Sequence, residues 1–210
     1  MQSIYDLKPR FQNLIRPLAP RLVGLGVTPN HVTWMALIGS IIAGGMVWLT
    51  GDLAACLALL PAWLLVRMAL NALDGMIARE YRMATAQGAA LNELGDLFSD
   101  LALYLPLGRL RADALWPVIA FVFGAILTEF CGMLGQALGG RRVYDGPMGK
   151  SDRAAFIGAL ALLTLAAPSL IGAWPWIFTL AALLSLLTCW KRLSHALREL
   201  TSNQPDRRQQ

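Results

Sequence analysis

Apolar runs separated by short polar stretches dominate the chain, and their lengths approach the twenty or so residues that cross a bilayer as a helix. His31 to Thr50 is the first run, and Thr28-Pro29-Asn30 before it reads as a helix start. Gly51-Asp52 makes a tight connection to a second run, Leu53 to about Leu73. A polar link from Glu80 to Gln87 precedes a third helix, about Gly88 to Leu107. Residues 114–138 form a fourth run, with Glu129 and Gln136 near its far end. Then comes the polar segment GGRRVYDGPMGKSDR, 139–153, and two further runs, about 154–172 and 175–190. Trp174 and Trp176 stand where interfacial aromatics are expected. Ahead of these runs, Ile4, Leu7, Phe11, Leu14, Ile15 and Leu18 recur at helical spacing, with Lys8, Arg10 and Arg16 between them. That pattern predicts an interfacial helix, apolar side in the acyl boundary and basic side toward headgroups, with Pro9 and Pro17 as breaks.

The expected architecture is all-α and integral to the membrane: six transmembrane helices with an N-terminal interfacial amphipathic helix. It is a single domain over residues 1–200, with the interfacial region at 1–27, the spans within 31–195 and a polar tail at 201–210. Composition agrees, because 56% hydrophobic and 15% charged residues leave more apolar surface than a soluble core of this length hides. The N-terminus has neither a signal-type apolar run nor a small-residue cleavage site, and is expected to stay on the protein. Cys56, Cys131 and Cys189 all lie in apolar runs without metal-ligand spacing, so neither a disulfide nor thiol chemistry is expected.

Charge sets orientation. Lys8, Arg10, Arg16 and Arg21 precede the first run, Arg79 and Arg82 sit in the second-to-third link, and Arg141, Arg142, Lys150 and Arg153 sit around the fourth-to-fifth link. Lys191, Arg192, Arg198, Arg207 and Arg208 follow the last run, whereas the opposite side holds Arg109 and Arg111. The positive-inside rule therefore places both termini and both polar links in the cytoplasm. Topology and anionic headgroups account for the net charge of +5, and no nucleic-acid module is visible, so no nucleic-acid partner is expected.

One stretch carries chemistry. Asn71 to Asp100 gathers Asp74, Arg79, Glu80, Arg82, Asn92, Glu93 and Asp96 within otherwise apolar sequence, where ionisable groups are costly and mark sites. On a helix, Arg67, Asn71, Asp74, Gly75 and Ala78 share one face; Asn92, Glu93, Asp96, Ser99 and Asp100 share about a third of the next helix. Two antiparallel helices would bring these carboxylates and amides together as oxygen ligands for Mg²⁺ or Mn²⁺, with Arg79 to orient a phosphate. Metal-assisted phosphoryl transfer follows from that arrangement. The plainer alternative is interfacial carboxylates solvated beside Arg79 and Arg82. Arg67, deeper in its run, has three routes: snorkelling, pairing with a carboxylate of the next helix, or meeting an anionic substrate.

These residues resemble the motif of the CDP-alcohol phosphotransferases, D-x-x-D-G-x-x-A-R-x8-G-x-x-x-D-x-x-x-D. Here the positions are Asn71, Asp74, Gly75, Ala78, Arg79, Gly88, Asn92 and Asp96, with unbroken spacing. The resemblance extends to the interfacial helix, the six runs and a GK element at Gly149-Lys150. It implies transfer of a phosphatidyl-type group from a CDP-alcohol, often CDP-diacylglycerol, to a hydroxyl acceptor with release of CMP, as part of phospholipid synthesis. It further implies a cytoplasm-facing cavity, divalent metal, no covalent enzyme intermediate, and a homodimer in a bacterial inner membrane. Asp96 matches the candidate general base. Asp74, Gly75, Ala78, Arg79 and Gly88 match positions at the CDP, while Lys150, Arg153 and Arg67 are candidates for the acceptor or lipid phosphate.

The departure is at the first and third motif aspartates, which are Asn71 and Asn92, as in a variant branch of the family. An amide offers a carbonyl oxygen without charge. Three outcomes remain open: Glu93 and Asp100 restore the charge of a two-metal site, one metal is kept, or the protein binds lipid or nucleotide without turnover. A small transporter is a more distant alternative. Glu129 is expected either to line the cavity or to make an interhelical hydrogen bond as a protonated acid. His31 and His195 are read as structural or solvated, and Gly39, Gly44 and Gly45 as sites of close helix packing.

Overall fold

The computed structural model describes residues 11–202, with side chains through residue 201. Ile4, Leu7, Lys8, Pro9 and Arg10 of the expected interfacial helix, and residues 203–210 of the tail, lie outside the described residues. The chain divides into two compact units, Met1–Leu103 and Tyr104–Gln210.

In the first unit a helical turn at residues 11–15 leads into α1, Leu18–Gly24, with Pro17 at the junction. Phe11, Ile15, Ala19, Leu22 and Val23 pack on Leu73, Met76 and Ile77. The apolar stripe is thus split: this part covers protein, while Leu14 and Leu18 stay exposed for the acyl boundary. Arg16 pairs with Glu80 at 3.0 Å along the same seam.

Helix α2, Pro29–Thr50, starts at Thr28, whose hydroxyl accepts the His31 N–H at 3.4 Å while His31 Nδ1 accepts the Thr28 N–H at 3.3 Å. That reciprocal cap satisfies two otherwise orphaned donors and gives His31 its structural role. Gly51 ends α2 with a φ of 64°, a left-handed conformation that glycine adopts without steric cost. Asp52 then caps α3, Leu53–Glu80, by accepting the N–H groups of Ala54 and Ala55 at 3.0 and 3.2 Å.

At 28 residues, α3 is roughly 42 Å long against a hydrocarbon core of about 30 Å. It is thus longer than a single perpendicular crossing needs, and Asp74 to Glu80 occupy its last two turns. The helix closes with Tyr81 N–H on the Ile77 carbonyl and Met83 N–H on the Ala78 carbonyl, leaving Arg82 at a φ of 55°. The polar link is residues 81–85, and α4 runs Ala86–Tyr104.

The second unit opens with the short helix α5, Leu107–Leu110, and a 3₁₀ turn, Ala112–Ala114. Helix α6, Leu115–Ala137, packs along α8, Trp174–Ser202, where Gly124 faces Ser185 and Gly135 faces Ala196. A methyl group at either glycine would come within 2.7–2.8 Å of its neighbour, so both permit the close approach. Between them stand α7, Lys150–Ala166, and a 3₁₀ segment, Pro168–Ala173. Phe121, Phe156, Phe178 and Trp174 form an aromatic core with centroids 5.6–6.1 Å apart.

Every described element is helical. Among the described residues, four segments are long and apolar enough to cross a membrane: Pro29–Thr50, Leu53–Glu80, Ala112–Ala137 and Pro168–Thr201. The expected third and fifth spans, α4 and α7, fall short on these terms. Asn92, Glu93, Asp96 and Asp100 lower the hydropathy of α4, and α7 is 17 residues long with Lys150, Asp152 and Arg153 in its first turn. Trp174 is not an interfacial anchor. It is 1% exposed and donates Nε1–H to Thr164 at 3.1 Å, whereas Trp176 is exposed. Gly39 and Gly44 lie against the Trp63 ring and the Ala102 backbone, but nothing approaches within 4 Å of a side chain at Gly45.

Candidate active site

Helices α3 and α4 bring the two halves of the polar motif together within the first unit. Asn71 Nδ2 on α3 donates to Asp96 Oδ1 on α4 at 2.9 Å. One turn earlier on α3, Arg67 spans two turns of α4: Nη1 donates to Asp100 Oδ1 at 2.6 Å, and Nη2 donates to the Asp96 carbonyl at 3.0 Å, 3.5 Å from Asp96 Oδ1. The guanidinium is 3% exposed. Of the routes open to it, Arg67 takes pairing with the next helix. The i, i+4 spacing of Arg67 and Asn71 against the i, i+4 spacing of Asp96 and Asp100 makes a matched ladder between antiparallel helices.

Asp74 is buried and accepts a hydrogen bond from Thr33 Oγ1 on α2 at 3.1 Å. Thr33 was absent from the sequence-derived site. Its signal is the shared face of Asn30, Thr33 and Ser40 on α2, a polar stripe in an otherwise apolar helix. Asn30 belongs to the same edge of the site: a methyl group at Gly88 would lie 2.8 Å from Asn30 Oδ1 and 3.0 Å from Thr85 Oγ1. Thr85 also accepts the Gly88 N–H at 3.0 Å, which caps α4 beside the motif glycine.

The remaining motif positions lie on the same two helices. Gly75 is half-buried beneath Arg79, whose guanidinium folds back to 3.1 Å from where a β-carbon at Gly75 would stand. Arg79 is exposed and Ala78 half-buried. Asn92 and Glu93 are half-buried on α4. Ser99, also on α4, is buried.

Lys150 and Arg153 belong to a separate basic cluster in the second unit. Glu129 on α6 lies 3.0 Å from Arg153, 3.6 Å from Arg192 and 3.6 Å from Arg142. Glu129 thus sits in ion-pair contact with three arginine side chains of the same unit. Arg153 also donates to Thr128 Oγ1 and the Met148 carbonyl; Arg192 donates to the carbonyls of Thr128, Tyr144 and Asp145. These bonds pin the 138–149 segment to α6 and α8. Lys150 is half-buried at the start of α7, where Asp152 accepts the Gly149 N–H at 3.1 Å. His195, exposed, pairs with Asp145 at 2.7 Å.

Comparison with known proteins places this geometry. A model of the CDP-alcohol phosphatidyltransferase family matches residues 26–190. The inner membrane protein YnbA of Escherichia coli K12 is 44% identical over 192 residues, spanning 91% of this chain and 94% of that one. Among solved structures, the Mycobacterium tuberculosis phosphatidylinositol phosphate synthase PgsA1 with CDP-DAG bound superposes with a TM-score of 0.74 at 22% identity, over 92% of this chain and 98% of that one. The same enzyme with manganese and citrate gives 0.73 at 22% identity, over 91% and 92%. These two share the fold with this chain.

The donor set bears on the metal that such a site takes. Two motif positions are neutral amides, Asn71 points a donor proton at Asp96, and Asp100 is engaged by Arg67. Among the described residues no three of His, Cys, Asp or Glu assemble as a ligand group. Asp74, Asp96 and the amide oxygens are hard oxygen donors of the kind that Mg²⁺ or Mn²⁺ takes.

Proposed function

The chain belongs to the CDP-alcohol phosphatidyltransferase family, and from that premise we propose that its α3–α4 site moves a phosphatidyl group from CDP-diacylglycerol to the hydroxyl of a small acceptor, releasing CMP. The observation that carries this reading is the Asn71–Asp96 hydrogen bond, which joins the two halves of the motif across adjacent helices.

The acceptor oxygen bonds to the lipid-linked phosphorus, the bond from that phosphorus to the bridging pyrophosphate oxygen breaks, and CMP departs with that oxygen. Asp96 accepts the acceptor's proton. Asn71 and Arg67 both address Asp96 Oδ1, which fixes the plane of the carboxylate before the acceptor arrives. Thr33 holds Asp74 in the same way. Arg79, folded over Gly75, matches the anionic pyrophosphate, and Gly88 lets Asn30 and Thr85 approach the backbone at the same edge. Asp74, Asp96, Asn71 and Asn92, with Glu93 beside them, would hold one divalent ion, Mg²⁺ or Mn²⁺, which when bound supplies charge neutralisation at the pyrophosphate.

The same reading places the protein in a bacterial inner membrane with six crossings, both termini and the site on the cytoplasmic side. Helices α4 and α7 complete the six, at roughly 28 and 26 Å of length. Lys150 serves the phosphate of an anionic acceptor or lipid, and the working assembly is a homodimer, as the family resemblance implies.

The test is CMP release by the purified protein in detergent with CDP-diacylglycerol, a panel of hydroxyl acceptors, and Mg²⁺ or Mn²⁺ against chelator. Release that needs both acceptor and metal is the expected result. Binding of the CDP-linked lipid without release under any combination would instead identify a silent lipid- or nucleotide-binding protein.

A further inference from the structure

We infer that Arg67 is a resident cation that takes the place of one of the two divalent ions for which a four-aspartate motif is suited, so that this chain works with a single metal. The inference rests on the transferase reading above and concerns the charge architecture of the same site.

Four observations converge. The guanidinium lies inside the motif and not beside it, because its Nη2 meets both the carbonyl and the carboxylate of Asp96. Its own counter-ion, Asp100, is a residue outside the motif, one turn further along α4 and 2.6 Å away. The first and third motif positions are amides in place of carboxylates, and Asn71 turns an N–H toward Asp96, so that contact adds no negative charge beside it. Arg67 is 3% exposed, so its charge is not dispersed into water, and a guanidinium keeps that charge at every physiological pH.

Arg67 offsets part of the formal negative charge of Asp96 and Asp100 at the site without any metal ion. Restoring aspartate at 71 and 92 would return two negative charges, but the guanidinium would still repel a second dication at the contact distances seen here. Arg67 acts through Asp96 and is a positioning residue: it supplies positive charge that is permanent, cannot be chelated and is fixed to the helix.

Mn²⁺ stoichiometry, read by electron paramagnetic resonance of free Mn²⁺ and by equilibrium dialysis in detergent, tests this directly. Wild type is expected to bind one Mn²⁺ per chain, with a Hill coefficient near one in the metal dependence of CMP release. The double variant Asn71→Asp/Asn92→Asp should still bind one. Adding Arg67→Gln to that pair should raise the count to two. Because Arg67→Gln removes the ion pair to Asp100, a companion set carries Arg67→Met with Asp100→Leu, and monodispersity with unchanged helical circular dichroism is the folding control. Two ions in wild type, or in the double variant with Arg67 intact, would overturn the inference while leaving the transferase reading in place. No Mn²⁺ bound to wild type, with or without CDP-diacylglycerol, would overturn both.

Discussion

The chemistry of this chain comes down to a few side chains whose neighbours set their states. Asp96 is held from one side by Asn71 and Arg67, and in the proposed role of general base it cannot be replaced by an amide. Asp96→Asn is therefore expected to lower CMP release by about 10²–10⁴-fold with the thermal unfolding profile retained, checked by turnover and circular dichroism on the same preparation. Thr33→Val removes the hydroxyl on Asp74, at a stability cost of about 1 kcal/mol. It should raise the Mn²⁺ concentration needed for half-maximal release, since Asp74 loses the contact that orients it. Glu129 has the opposite character. It holds three arginines, two of them almost fully buried, and Glu129→Leu leaves like charges facing one another. A loss of about 3 kcal/mol in stability follows, read as a fall in the unfolding temperature in detergent.

Helices position those side chains through contacts that small residues permit. Gly44 on α2 lies directly against the Ala102 backbone, so any side chain there pushes α2 away from α4. Gly45, the next residue, faces open space. Gly44→Val is expected to reduce the yield of folded protein sharply, while Gly45→Val is tolerated, and size-exclusion profiles of the two side by side decide it. Both glycines look equivalent in the sequence, because each satisfies the small-residue pattern of a packed membrane helix. The helix that each faces distinguishes them. Trp174 teaches the same lesson, since an aromatic at the end of an apolar run reads as an interfacial anchor until Thr164 and Phe178 are seen around it.

At the scale of the whole molecule the proposed topology rests on the distribution of arginine and lysine. With the native cysteines replaced, a single cysteine at Ala84, in the link after α3, is expected to react with an impermeant maleimide only after the inner membrane is opened from the cytoplasmic side. One at Asp113 should react from the periplasmic side of intact spheroplasts. The reverse pattern, or labelling of both from one side, would remove the six-crossing arrangement.

Much of this was decided locally. The membrane class follows from runs of about twenty apolar residues, the caps at Thr28 and Asp52 from their residue types, and the seam of Asn71, Asp74 and Asp96 from helical periodicity, because each is a property of neighbours in the chain. Family membership follows from fixed spacing along two consecutive helices. What needed the tertiary structure were the pairings between residues distant in sequence: Thr33 with Asp74 across 41 positions, Arg67 with Asp100 across 33, and Glu129 with Arg192 across more than sixty. Periodicity says which face a residue occupies and is silent on what faces it. Arg67 shows the consequence, since its three sequence-level routes differ only in the partner, and α4 supplied that partner.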